Sequence, residues 1–249
     1  MGDRSSKTHF SAKAIDFIAN EIFSVIDMAE IAIVVGGGNL LRGSEIQKGL
    51  DLKDSTICDH VGMLATTMNA LVFQGVLEQK FGIHTRVMTA TEMRSFGELF
   101  IRRRAMRHLE KGRVVILAGG TGNPNFSTDT AMVLRAHELN ADLTLKGTKV
   151  DGIYDRDPKE DSAAKKIKVI THTDYLSRDL RIIDSAAVAL ARNLNWDIKV
   201  FNIFEKGNLK KAIAGDKIGS IISFSADCAT LSFIVGIESG LLVPSGFGI

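Results

Sequence analysis

Cysteine is scarce in this chain: Cys58 and Cys228 are the only two among 249 residues, far apart and without metal-ligand spacing. That excludes a disulfide framework or a cysteine-built zinc site and suits a reducing compartment. Charge of one sign is missing too. Lys and Arg number 31 and Asp and Glu 29, a net +2, so the basic field of a nucleic-acid binder is absent. No 18 apolar residues run together, which predicts no membrane-spanning helix. The opening "MGDRSSKTHFSAK" has no apolar signal-peptide core, and a cytoplasmic location is the expectation. The six histidines are scattered, and none is assigned a catalytic role. What is there is an ordinary globular balance, 45% apolar and 24% charged, over a length that buries a sizeable core.

Short apolar runs alternate with longer helical patterns. Residues 31–35, 85–89, 113–117, 141–145, 197–201 and 219–223 read as strands, and the continuous apolar character of 31–35 and, after Arg113, of 113–117 implies burial on both faces. Helical spacing appears over 12–26, 60–80, 97–110, 128–139, 185–194 and 208–214. In 60–80 the residues Val61, Leu64, Met68, Leu71, Val72 and Leu77 share one side. Such alternation predicts an α/β domain, residues 1–224, with a mostly parallel sheet covered on both faces. The tail 225–249 has no trusted period; a weakly ordered extension is the first reading and an added packed strand the second.

Two strand ends run straight into glycine. "IAIVV" leads to "GGGNLLRG" (36–43) and "RVVILA" to "GGTGNP" (119–124). In a parallel sheet ligands gather at these ends, and bare backbone N–H groups ahead of a helix N-terminus hold anions. Neither standard nucleotide fingerprint fits. Leu41 stands where a dinucleotide loop needs its third glycine, and Ser44-Glu45 replaces the Lys-Ser/Thr of a P-loop. Arg42 could bridge phosphate oxygens. Thr121, Asn123, Ser127 and Thr128 offer hydroxyl and amide groups, one of them an N-cap. Asp129 either complements the helix dipole or does chemistry, Asp59 caps a helix or binds, and Gly62 in that helix's first turn hints at something passing close. Tyr154 could stack on a flat ring and Asp157 accept from a base or ribose, unless Asp157-Pro158 is only a turn. Asp184 precedes a helix, as a cap or an organiser of a metal or lysine.

These stretches, with "DHVGMLATTMNAL", "ADLTLKGTKVDGIYDRDPK", "RIIDSAAVALARN" and "IKVFNI", resemble the prokaryotic uridylate (UMP) kinases of the amino acid kinase superfamily over about residues 10–222. The resemblance implies a three-layer αβα sandwich with a mostly parallel central sheet, assembled as a homohexamer. It implies transfer of the γ-phosphoryl of ATP, with Mg²⁺, to UMP, in pyrimidine nucleotide biosynthesis, with GTP activation and UTP inhibition. It implies that Gly37, Asp59, Thr121, Gly122, Asn123, Pro124, Asn125, Phe126, Ser127 and Thr128 bind UMP. Gly38, Arg42, Thr148, Tyr154 and Asp157 would bind ATP, and Arg42, Asp129 and Asp184 would serve the transfer. The chemistry agrees: UMP is mostly dianionic at neutral pH, so alignment and positive charge are needed rather than a general base. Family members open with a central strand ending in K-x-S-G, and this sequence starts at the loop that follows it. The expectation is that the working protein extends upstream; the alternatives are a crippled, UMP- or UTP-sensing protein, or a relative with another acceptor.

Overall fold

The computed structural model describes residues 9–41, 43–158, 161, 163–225 and 241–244, the last four and Ser44 by backbone alone. The apolar runs become strands β1 (Ala32–Val34), β2 (Thr85–Thr89), β4 (Val114–Ala118), β5 (Ala141–Thr148), β9 (Ile198–Asn202) and β10 (Ser220–Ser223). Shorter pieces add β3 (Glu98–Leu99), β6 (Ile153–Tyr154), β7 (Lys166–Ile167), β8 (Val169–Thr171) and β11 (Leu241–Pro244). One nine-stranded sheet has the order β3-β2-β4-β1-β11-β5-β9-β10-β8, with β6 and β7 apart as a hairpin. Residues 31–35 and 114–118 are buried throughout, as strands covered on both faces must be.

The helices are α1 (Ala12–Phe23), α2 (Gly43–Gly49), α3 (Ser55–Phe81), α4 (Arg102–Leu109), α5 (Thr128–Glu138), α6 (His172–Ser177), α7 (Ser185–Asn193) and α8 (Asn208–Ile213). On one side α1 packs against α3 and α8; on the other α5 packs against α7, and α7 against α6. The segment 97–110 is not one helix: Glu98 and Leu99 pair with β2 before α4 begins. Gly97 makes that possible, because a Cβ there would lie 3.1 Å from the Val87 carbonyl oxygen.

The centre of the sheet departs most from expectation. β1 and β5 do not touch. Between them stands β11, antiparallel to both, with Leu241 opposite Ile33 and Leu145. The resemblance places a first strand centrally; here a strand from the tail fills that place among the described residues. It gives the buried N–H and C=O groups of β1 and β5 partners that a gap would leave unpaired.

α3 also corrects the sequence reading. It starts at Ser55, capped by Asp54, whose carboxylate accepts from the Thr56 N–H at 2.8 Å. Asp59 therefore lies inside the helix. Of the six residues read as its packed stripe only Leu77 is buried, while Leu64, Met68 and Val72 are exposed. The buried set includes Ala65, Thr66, Asn69, Ala70 and Phe73. By length and composition α3 is the one helix among the described residues that could span a bilayer; it packs along β2 and β4.

Candidate functional site

β1 and β4 are parallel neighbours, Ala32 opposite Val115, so their glycine loops leave the same sheet edge side by side. β5 runs the same way, since both β1 and β5 oppose β11. Three strand ends thus open at one edge, where α/β sheets bind ligands.

One stripe of α3 fastens both loops. Asp59, Gly62, Thr66 and Asn69 are spaced three and four apart and share a face. The buried Asn69 amide donates to the Gly36 carbonyl at 2.5 Å and pairs reciprocally with Asn39 at 2.6 and 3.1 Å. The Thr66 hydroxyl accepts the Gly119 N–H at 2.7 Å while donating to the Met63 carbonyl. Asp59 accepts the Asn125 N–H at 2.8 Å. Gly37 lies against this helix so closely that a Cβ would sit 2.8 Å from the Gly62 carbonyl oxygen and 2.9 Å from the Ala65 Cβ. Glycine is thus required at 37 by packing. In the second loop Gly119, Gly120 and Gly122 all have positive φ. Side chains at 119 or 122 would also crowd Ala90, whereas Gly120 faces open space.

Behind the loops sits a buried ion pair. Asp129 in the first turn of α5 meets the Nζ of Lys146 on β5, with side chains 14% and 6% exposed. Burial pushes the Asp129 carboxyl above its ordinary range, and the Lys146 ammonium opposes that rise. Ser127 caps α5, its hydroxyl accepting from the N–H groups of Asp129 and Thr130 at 2.9 and 3.2 Å, and it also donates to Asp184. Asp184 caps α7, accepting from Ala187 N–H at 2.9 Å, and receives the Thr130 hydroxyl at 3.4 Å. The two acids are thereby tied together across α5 and α7.

Beyond the end of β5 a cavity of about 460 Å³ is lined by Tyr154, Asp157, Arg156 and Pro158 on one wall and by residues 178–182 on the other. The Tyr154 hydroxyl donates to Asp151 at 2.7 Å, which raises its pKa, and Asp151 also takes Lys166 at 2.9 Å.

The structure therefore brings together Gly37, Gly38, Asp59, residues 121–129 and Asp184 around the loops, with Tyr154 and Asp157 in the adjoining cavity. Gly38 is exposed where Gly37 is buried; Asn123, Asn125 and Phe126 are exposed as well, and Gly122 and Pro124 partly so. Thr121 accepts from Asn123 N–H within the loop. Thr148 is buried, its hydroxyl exchanging hydrogen bonds with Val150, and it does not line the cavity. Arg42 lies outside the described residues. The sequence reading missed Lys146, Thr66 and Asn69. Their signals were a lysine in a buried strand and two polar side chains at helical spacing in the helix between the two glycine loops. Among the described residues no group of three His, Cys, Asp or Glu side chains could hold a metal. Asp129 and Asp184 are both engaged by the chain's own donors, so a protein-built cage for Mg²⁺ does not fit these residues.

The chain is similar to known proteins over most of its length. Residues 5–202 match the model of the amino acid kinase family. A UMP kinase from Bacillus anthracis is 35% identical, with 94% of this chain and 91% of that one covered and a TM-score of 0.83. A UMP kinase from Ureaplasma parvum is 33% identical over 86% and 90%, TM-score 0.79. A uridylate kinase from Archaeoglobus fulgidus is 27% identical over 86% and 94%, TM-score 0.66.

Proposed function

The chain belongs to the amino acid kinase family, and from that premise we propose that it moves the γ-phosphoryl of ATP to UMP, giving UDP and ADP. The observation that carries this is the pair of glycine loops fastened on one face of α3, with the Asp129–Lys146 pair behind them. UMP lies along residues 121–128 and Asp59; the ATP nucleoside enters the cavity of Tyr154 and Asp157, and the phosphates meet between. The acceptor is already an anion, so the site supplies alignment and cationic charge. Lys146 is the described cation best placed for this, with Asp129 fixing its ammonium. Mg²⁺ would come bound to the nucleotide phosphates rather than to a protein cage and would offset part of their charge.

The same reading includes a homohexamer with GTP activation and UTP inhibition. Support for assembly is the exposed apolar stripe of α3. Leu64, Met68 and Leu71 adjoin Met93 and Phe96 in a shallow hollow of about 480 Å³, an apolar surface of the kind that subunit contacts cover.

The test is product formation from ATP with UMP, CMP, AMP, glutamate or N-acetylglutamate. UDP should form in step with ADP, and UMP should be the preferred acceptor. Turnover of an amino acid instead would move the acceptor elsewhere in the family, and UMP binding without turnover would make the protein a sensor.

A further inference from the structure

Tyr175 on α6 is fully buried, and a buried phenol needs a partner for its hydroxyl. Its partner is one residue, used twice. The hydroxyl accepts the Ile183 N–H at 2.8 Å and donates to the Ile183 carbonyl at 2.9 Å. Ile183 is buried, and its segment, 180–184, is neither helix nor strand, so its peptide groups have no regular ladder. Leaving them unpaired would strip both groups of water with no bond in return. The next residue is Asp184. Its carboxylate gathers Ser127, Thr130 and the Ala187 N–H and through α5 adjoins Asp129 and Lys146. Residues 178–182, which overlap this segment, wall the cavity assigned to the ATP nucleoside.

We propose that Tyr175 is a positioning residue for phosphoryl transfer: by holding both peptide groups of Ile183 it fixes where Asp184 stands. The inference rests on the proposed kinase reading and on the part in the transfer that the resemblance implies for Asp184. Burial pushes the Tyr175 pKa up to about 12, which keeps the hydroxyl protonated and able to donate under ordinary conditions. The substitution that isolates the hydroxyl is Tyr175→Phe, because the ring still fills the core.

The experiment is a double-mutant cycle on kcat with Tyr175→Phe, Asp184→Asn and the double variant, read well below each melting temperature. Tyr175→Phe should lower kcat about ten-fold or more with KM for both nucleotides nearly unchanged. In the double variant the Tyr175→Phe loss should largely vanish, the signature of two residues acting as one unit. A purely structural tyrosine would lower the melting temperature and leave kcat alone. That result, or losses that multiply independently, overturns the inference while Asp184 keeps its role. Unchanged kcat in Asp184→Asn alone overturns both. Should Tyr175→Phe not fold, fluorotyrosine labelling of the full chain offers a second reading, since only Tyr154 and Tyr175 would carry the label. The Tyr175 resonance should move in Asp184→Asn, and an unmoved one contradicts the coupling.

Discussion

Lys146→Met is expected to lower kcat about 10²–10³-fold, the usual effect of removing one preorganised charge donor, with a much smaller change in KM. The side chain is nearly fully buried and meets Asp129 directly, so the loss reaches stability as well. An abandoned buried carboxylate costs about 3–5 kcal/mol if it stays charged, and protonation is its way out. The direction follows from the groups present. Burial already raises the Asp129 pKa, and contact with Lys146 is what restrains it. Without the ammonium the folded-state pKa climbs further above its unfolded value. The folded variant then holds a proton that the unfolded chain releases, so stability is greatest at low pH and falls as pH rises through the raised pKa. Steady-state kinetics and thermal melts of Lys146→Met across pH check both halves. A kcat within about two-fold of the parent would reduce Lys146 to a structural partner of Asp129.

Two glycines on either side of one contact should respond with opposite signs. Gly37→Ala places a methyl 2.8 Å from the Gly62 carbonyl oxygen and 2.9 Å from the Ala65 Cβ. Neither can retreat easily, since both belong to α3. The loop must lift from the helix, with overpacking of about 1–3 kcal/mol, and the Asn69–Gly36 and Thr66–Gly119 hydrogen bonds lose their register. KM for UMP should rise about ten-fold or more and kcat should fall. Gly62→Ala is the counterpart. Its Cβ meets nothing within 4 Å, and alanine favours a helix over glycine by about 1 kcal/mol. The melting temperature should therefore rise. Yet this open space shares a helix face with Asp59 and Thr66, beside both loops, where the nucleotide is placed. So Gly62→Ala should weaken UMP binding while stabilising the free protein. Melts with and without UMP separate the two effects. A stabilised Gly62→Ala with undiminished UMP affinity would remove UMP from that face.

The fold was legible wherever burial imposes a long, regular pattern. Residues 31–35 and 113–117 read as strands because two-sided burial leaves no polar position in them after the leading Arg113. β5 was read short, to Leu145, since a lysine and a threonine looked like an exit from the core; both are buried, one by an ion pair and one by its own turn. The apolar stripe of α3 was visible, but its direction was not. A sequence shows that Leu64 and Met68 share a face without showing whether the sheet or solvent meets it. β11 was the least readable element, four residues whose partners lie about a hundred or more positions away. Of the site, the glycine loops announced themselves by composition. Thr66 and Asn69 act through a few hydrogen bonds, to main chain and to Asn39, which leave no compositional trace.

The central claim is that donor and acceptor are gripped at adjoining strand ends, close enough for direct transfer. The most direct measurement is calorimetry with a bisubstrate analogue in which adenosine and uridine are joined through a polyphosphate chain. It should bind once per chain, more tightly than either nucleotide alone, and compete with both ATP and UMP. Displacement of only one of them, with the other still binding alongside the analogue, would place the two nucleotides in separate sites and contradict the shared cleft.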